Sequence, residues 1–245
     1  SPRRDLLSDQ YFWNSVQTSR GCPFNCNFCS VSRYLGKDYR QRKAEDVLNE
    51  LEDIEGKYIA FVDDNLIGNT LENKKRATDL FRGMVDRSFK KKWWMQTSIN
   101  ASEDENVIKL AAEAGCMYVF VGFETLDTGA LKSMQKGVNL KAGVENYKKI
   151  IGRFHKHGIG VFGAFIIGND YESFEYYKRL ADFIISAGID IIQISILTPL
   201  PGTSLMEQLL IKDRLVYKNF PTDWDKYRFS YVVHQPIGLD EKNIY

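Results

Sequence analysis

Short apolar runs alternate with longer stretches whose apolar residues recur every three or four positions, and the alternation repeats six times between positions 15 and 203. The runs at 15–19, 58–63, 93–99, 117–123, 160–167 and 189–197 read as buried strands, and the stretches between them as amphipathic helices. Val47, Leu51 and Ile54 make one apolar stripe; Leu140, Val144, Tyr147, Ile151 and Phe154 make another. Gly56, Gly115, Gly158 and Gly188 stand between a helix and the next strand, where a left-handed residue ends a helix. Strands alternating with helices imply a parallel sheet joined by crossovers. Six units fall short of the eight of a closed barrel, so a doubly wound sheet and an open partial barrel both fit. Either architecture places chemistry at the C-terminal ends of the strands.

Composition narrows the function classes. With 33 Lys+Arg against 32 Asp+Glu, a net charge of +1 and 44% hydrophobic residues in 245, the chain is neither a disordered segment nor a nucleic-acid binder working by bulk charge. The apolar runs at 117–121 and 161–167 are too short to cross a membrane, and no basic segment followed by an apolar one opens the chain. The expected location is cytoplasmic. The opening Ser1-Pro2-Arg3-Arg4-Asp5 lacks an initiator Met and reads as the polar end of a linker. The expected organisation is therefore a linker over 1–14 following another domain, a core over 15–203, and a C-terminal helix and tail over 204–245.

Three of the four cysteines, Cys22, Cys26 and Cys29, lie in one loop after the first strand, spaced C-x3-C-x2-C. Three thiolates so close in a reducing compartment can converge on one metal centre. Structural zinc usually takes four protein ligands, yet Cys116 stands at the start of another strand and His155, His157 and His234 fit no metal motif. Cys116 reads as a small buried residue, and His155 and His157 as helix-end residues. Three ligands leave one position open, which in a four-iron cluster is an iron able to bind a small molecule.

This loop, with the aromatic Phe28 before its last cysteine, resembles the signature of radical S-adenosylmethionine (SAM) enzymes. The resemblance implies an α/β fold, a partial (β/α)6 barrel that is TIM-like and open, with an irregular C-terminal tail. It also implies that Cys22, Cys26 and Cys29 hold a [4Fe-4S] cluster whose free iron binds the methionine end of SAM. An electron donor such as flavodoxin or ferredoxin would then allow cleavage to a 5'-deoxyadenosyl radical. By the same resemblance Phe28 packs near the adenine.

Other strand ends supply further candidates. The second strand runs into Asp63-Asp64-Asn65, where many family members carry Gly-Gly-Glu to hold the methionine amino group; Asp63 or Asp64 is a candidate acceptor for that ammonium. Gln96 and Ser98 share a strand face with Trp94 and suggest a ligand. Gly122-Phe123-Glu124-Thr125 is similar to the family's fourth-strand segment, whose carboxylate helps to hold the ribose or methionine part of SAM, so Glu124 is a candidate with a helix cap as its plain alternative. Gly163 to Gly168 is similar to the stretch that supports the adenine. The aromatic tail from Tyr217 to Tyr231 either covers the barrel mouth or lines a substrate channel.

Cys22-Pro23-Phe24-Asn25-Cys26, the segment from Val62 to Asn69 and Pro199-Leu200-Pro201-Gly202-Thr203 together resemble cobalamin-type radical SAM proteins, a group that includes hopanoid methylases. That implies methylation of an unactivated carbon in a small-molecule or lipid substrate. The group's Asp-x-His-x-x-Gly is missing here, so cobalamin is expected on a domain outside this chain. The alternatives are a methylthiotransferase or another radical enzyme acting on RNA, which the lack of a basic stripe disfavours, and a module that holds a cluster without turnover.

Overall fold

The computed structural model describes residues 2–8, 11–36, 38–239 and 244. Its strands are β1 (Asn14–Val16), β2 (Ser19–Arg20), β3 (Arg40–Gln41), β4 (Tyr58–Phe61), β5 (Lys92–Thr97), β6 (Cys116–Glu124), β7 (Gly160–Ile167) and β8 (Ile191–Ile196). The α-helices are α1 (Val31–Tyr34), α2 (Ala44–Glu52), α3 (Leu71–Asp86), α4 (Glu105–Glu113), α5 (Thr128–Ser133), α6 (Gly137–Ala142), α7 (Tyr147–Lys156), α8 (Phe174–Ala187) and α9 (Ser204–Ile211). Among the described residues, six strands form one parallel sheet in the order β1-β4-β5-β6-β7-β8. β1 and β8 are edges that do not meet, so the sheet stays open, in agreement with a partial barrel.

Alternation along the strands separates two faces. Trp93, Met95, Val119, Val121, Phe123, Val161 and Phe165 are buried against the helices and form the main core with the apolar sides of α2, α3, α4 and α7. Trp93 is its largest member, stacked on Phe81 at 5.1 Å, edge-on to Phe61 at 5.2 Å, and donating Nε1–H to the Ala114 carbonyl. The opposite face carries Gln96, Phe120, Gly122, Ala164, Gln193 and Ser195 and lines a cavity instead. A sheet that packs on one face only leaves the other free for ligand.

The six expected strands are all present, with shifted ends. β1 stops at Val16 rather than Ser19 because the chain turns away to pair Ser19 and Arg20 with β3, a small antiparallel ladder that the apolar pattern did not reveal. The single helix expected around Leu140–Phe154 is broken. α6 ends at Gly143, whose φ of +79° and ψ of +133° leave helical space, and α7 starts at Tyr147. The break frees Asn139, which is fully buried, to donate Nδ2–H to the carbonyls of Gly122 and Phe123 at the end of β6 and to Tyr147 Oη. Gly115, Gly158 and Gly188 have positive φ as expected, but Gly56 does not. A Cβ at Gly56 would lie 2.3 Å from Asn14 Nδ2, so a larger residue there would make that amide shift.

Beyond β8 the chain builds a second, smaller core from Leu197, Leu205, Met206, Leu209, Leu215, Tyr227 and Val233, together with Met134 from just after α5. At the other end Arg4 donates to the buried Glu50 carboxylate at 2.5 Å and to the Ser15 carbonyl. His155 pairs with Asp190 and His157 with Glu105 at the surface, and Cys116 is buried, in keeping with structural roles for all three.

Two measurements test this packing. Trp93→Ala should cost about 3–5 kcal/mol in denaturant unfolding, because it removes the largest buried side chain and leaves its neighbours little room to collapse. His234, bridged to Leu215 and almost fully buried, has its pKa lowered to about 4 by burial and then by Arg214. The unfolded chain binds a proton near its ordinary value of 6.5 and the native one does not, so this contribution is present above pH 6.5 and lost as pH falls towards 4. The drop in thermal midpoint between pH 7 and 4.5 should be smaller in His234→Gln than in the parent.

Candidate functional site

The loop from β2 to α1 carries Cys22, Cys26 and Cys29, all half-buried, and all three line a cavity of about 320 Å³ at the C-terminal ends of the strands. Two sets of bonds fix this loop. Before it, Asp63 accepts hydrogen bonds from Thr18 N, Thr18 Oγ1 and Ser19 Oγ. Arg76 donates to the Thr18 and Arg42 carbonyls beside them. Within it, Asn27 donates its backbone N–H to the Met134 carbonyl and Nδ2–H to the Ser133 carbonyl, while its own carbonyl accepts from Leu205 N.

The two aspartates part company here. Asp63 is fully buried and turned to the loop base, not into the cavity, which corrects its candidacy as a SAM contact; its carboxylate is taken up by Thr18 and Ser19. Asp64 lines the cavity, and its charge adds a smaller upward push to the pKa of Cys22 and Cys29, which burial raises first. Gln96, Ser98, Glu124 and Phe28 line the same cavity, and Ser98 Oγ is held by Asn65 Nδ2 at 3.0 Å. Gly163 and Gly168 do not line it. A Cβ at Gly163 would point at Ile189 on the helix side, and Gly168 donates its N–H to Glu172, so β7 reaches the cavity from its other face, through Ala164 and Ile166. From the tail only Phe229 enters the lining, because Phe220, Trp224 and Tyr227 pack on one another.

Glu124 is not a helix cap, since Asp127 caps α5. It sits at the end of β6 in left-handed space with φ +65°, next to a register shift between Gly122 and Glu124. A non-glycine residue held there costs conformational energy that the surroundings must supply. They do so by an ion pair: Lys136 Nζ lies 2.5 Å from Glu124 Oε1, with both side chains nearly buried. The carboxylate folds over Gly122, where a Cβ would lie 2.3 Å from Glu124 Oε1. Burial opposes the Lys136 charge, but Glu124 and then Cys26 more than offset it, and its pKa stands above the ordinary lysine value. The same ammonium sits 5.8 Å from the Phe28 ring.

Lys136 is the site residue that sequence reasoning missed. It lies twelve positions after Glu124 between two short helices, and no periodicity marks it. Its charge works on the cysteines. Burial pushes all three thiols up, Cys26 to about 11, while Lys136 pulls each of them down.

The donor set fits a cluster better than a single ion. Among the described residues no three His, Cys, Asp or Glu side chains converge as a single-ion site. Zinc would need sulfurs about 2.3 Å from one point, whereas a four-iron cluster takes each thiolate on a different iron.

Comparison with known proteins shows the family and the fold. The radical SAM superfamily profile matches residues 16–184, and the chain belongs to that family. It is 34% identical over 230 residues to the bacteriochlorophyllide d C-12(1)-methyltransferase of Chlorobaculum tepidum, covering 91% of this chain and 47% of that protein. It is 32% identical to the hopanoid C-2 methylase of Rhodopseudomonas palustris, covering 85% of this chain and 40% of that one. The chain thus spans about half the length of these relatives or less. Among solved structures, the cobalamin-bound and [4Fe-4S]-bound radical SAM methyltransferase TsrM of Kitasatospora setae superposes with a TM-score of 0.73 at 20% identity, over 82% of this chain and 37% of that one. The cobalamin-dependent radical enzyme OxsB, with aqua-cobalamin and SAM bound, gives 0.70 at 18% identity over 94% and 39%. At such identities the likeness concerns the fold.

The separation of the two aspartates is directly measurable. Asp63→Ala should lower stability by on the order of 3 kcal/mol, because Thr18 and Ser19 lose a buried partner. Asp64→Ala should change it by no more than about 0.5 kcal/mol. Equal effects in chemical denaturation would contradict the assignment.

Proposed function

We propose that this chain is the radical SAM domain of an enzyme that methylates an unactivated carbon of a small-molecule or lipid substrate, working with cobalamin held outside these 245 residues. The observation that carries the reading is one cavity lined together by Cys22, Cys26, Cys29, Phe28, Asp64, Gln96, Ser98 and Glu124 at the open strand ends. The three cysteines would hold the [4Fe-4S] cluster, whose chemistry when reduced is cleavage of SAM to 5'-deoxyadenosyl radical and methionine. Asp64 and Glu124 would accept from the methionine ammonium and ribose hydroxyls, Phe28 would pack on the adenine, and Gln96 and Ser98 would supply neutral polar contacts. Lys136 holds Glu124 in place and opposes the negative charge that three thiolates bring into a half-buried loop.

Support for carbon methylation comes from the names of the relatives, two of which are a bacteriochlorophyllide methyltransferase and a hopanoid methylase. A net charge of +1 and the lack of a basic stripe favour a small-molecule or lipid substrate over RNA. The electron would come from a donor such as flavodoxin or ferredoxin. No helix among the described residues is long and apolar enough to cross a membrane.

Anaerobic reconstitution with iron and sulfide, followed by SAM and dithionite, tests the reading. The parent protein should form 5'-deoxyadenosine without a methylated product. Alanine at Cys22, Cys26 or Cys29 should abolish cluster absorbance, and Cys116→Ala should not. Gly122→Ala should keep the cluster spectrum but weaken SAM binding at least tenfold, since the new methyl displaces the Glu124 carboxylate. A reducible cluster with no SAM cleavage would leave only a cluster-holding module.

A further inference from the structure

The cysteine loop is flanked by arginines that take no part in the cavity. Arg20 stands two residues before Cys22 and Arg33 four after Cys29, while Arg40 lies opposite Arg20 in the β2–β3 ladder. All three are exposed, and none lines the cavity that holds the thiols. Positions 17–43 hold six Lys or Arg and one Asp in a chain whose net charge is +1, so the excess is local to this loop.

Within the chain these charges go unanswered. Arg20 donates to Gln17 Oε1, Arg33 to Ser204 Oγ and Arg40 to the Leu35 carbonyl, all neutral acceptors, and none of the three forms an ion pair among the described residues. Arg20 and Arg40 are also directly opposite across an antiparallel pair, where side chains share a face and like charges destabilise. Nor do they serve the thiols, since the cation that acts most on Cys22, Cys26 and Cys29 is Lys136. A charge excess that the chain itself does not use is available to a partner.

The same surface carries Tyr34, 88% exposed at the end of α1 and next to Arg33 in the chain. Exposed tyrosine amid arginine is the composition of protein-binding hot spots, and unpaired arginines select a partner that presents carboxylates. The loop also has to be reached by a reductant. Its cavity side is where SAM and substrate are assigned, whereas Cys22 lies only two residues from this exposed surface, a span of at most about 7 Å.

We infer that Arg20, Arg33, Arg40 and Tyr34 form the docking surface for the electron donor, a redox protein whose cofactor edge is ringed by carboxylates. The inference rests on the reading of the cavity as a radical SAM site and adds the place where its electron enters. The donor is oxidised by one electron and the cluster reduced by one, with no covalent bond formed or broken between the two proteins.

Binding and turnover test it separately. An acidic flavodoxin, titrated calorimetrically into the chain at low salt, should bind with a Kd on the order of 100 μM or tighter. The triple reversal Arg20→Glu, Arg33→Glu, Arg40→Glu should weaken that binding at least tenfold, and Tyr34→Ala at least threefold. Lys90→Glu, Lys148→Glu, Lys149→Glu, an equal charge change at exposed lysines elsewhere, should weaken it less than threefold. After anaerobic reconstitution, reduced flavodoxin should drive 5'-deoxyadenosine formation at least tenfold more slowly in the arginine variant than in the parent, with dithionite equally effective in both. In the parent alone, raising salt from about 50 mM to about 300 mM should slow the flavodoxin-driven rate severalfold and leave the dithionite-driven rate unchanged. A parent that dithionite does not turn over would count against the radical SAM reading, while flavodoxin binding still tests the surface. No flavodoxin binding to the parent, binding undiminished by the arginine reversal, or a flavodoxin-driven rate indifferent to salt would overturn the inference. Tighter binding of oligouridylate than of flavodoxin, lost in the arginine variant, would overturn it too and assign the surface to RNA.

Discussion

The Asp63 carboxylate, buried at the end of β4 and bonded to Thr18 and Ser19, decides where the chain leaving β1 turns towards the cysteines. β1 is a three-residue edge strand and could not orient that turn by itself. With Asp63 and the neighbouring Arg76 in place, the loop starts from a fixed point; with Asn27 tied to the Ser133 and Met134 carbonyls and to Leu205, its middle is fixed as well. Three flexible thiols are thereby presented to one cavity.

The electrostatics of the mouth follow from that placement. Half-buried thiols resist ionisation, and Lys136, a nearly buried cation beside them, works against that resistance while pairing with Glu124. Such a pair inside a protein is costly unless its geometry is good. Here the geometry is obtained by a left-handed Glu124 at a strand bulge, a glycine at 122 beneath its carboxylate, and Asn139 gripping the carbonyls at the end of β6. Helix continuity is given up at Gly143, and Asn139 reaches β6 through α6.

The open edge of the sheet gives the cysteine loop two sides. One faces the cavity at the strand ends; the other faces a smaller core built by α9 and the returning tail. Leu197 lies on both sides, and Asn27 ties the loop to the second through Met134 and Leu205.

What the sequence determined by itself was periodic or clustered. Period-two and period-3.6 patterns gave the six parallel strands and their helices, and the C-x3-C-x2-C spacing with Phe28 gave the family, because local repeats and a tight motif are carried by neighbouring residues. Tertiary structure alone decided which of Asp63 and Asp64 faces the cavity, since the strand has already ended at Phe61 and alternation no longer applies. It decided that Gly163 packs against Ile189, and that Lys136, far from the cysteines in sequence, is the cation beside them. Those outcomes depend on loops and crossovers meeting across the mouth, and the direction of a side chain there is set by its partners, not by its position in the chain.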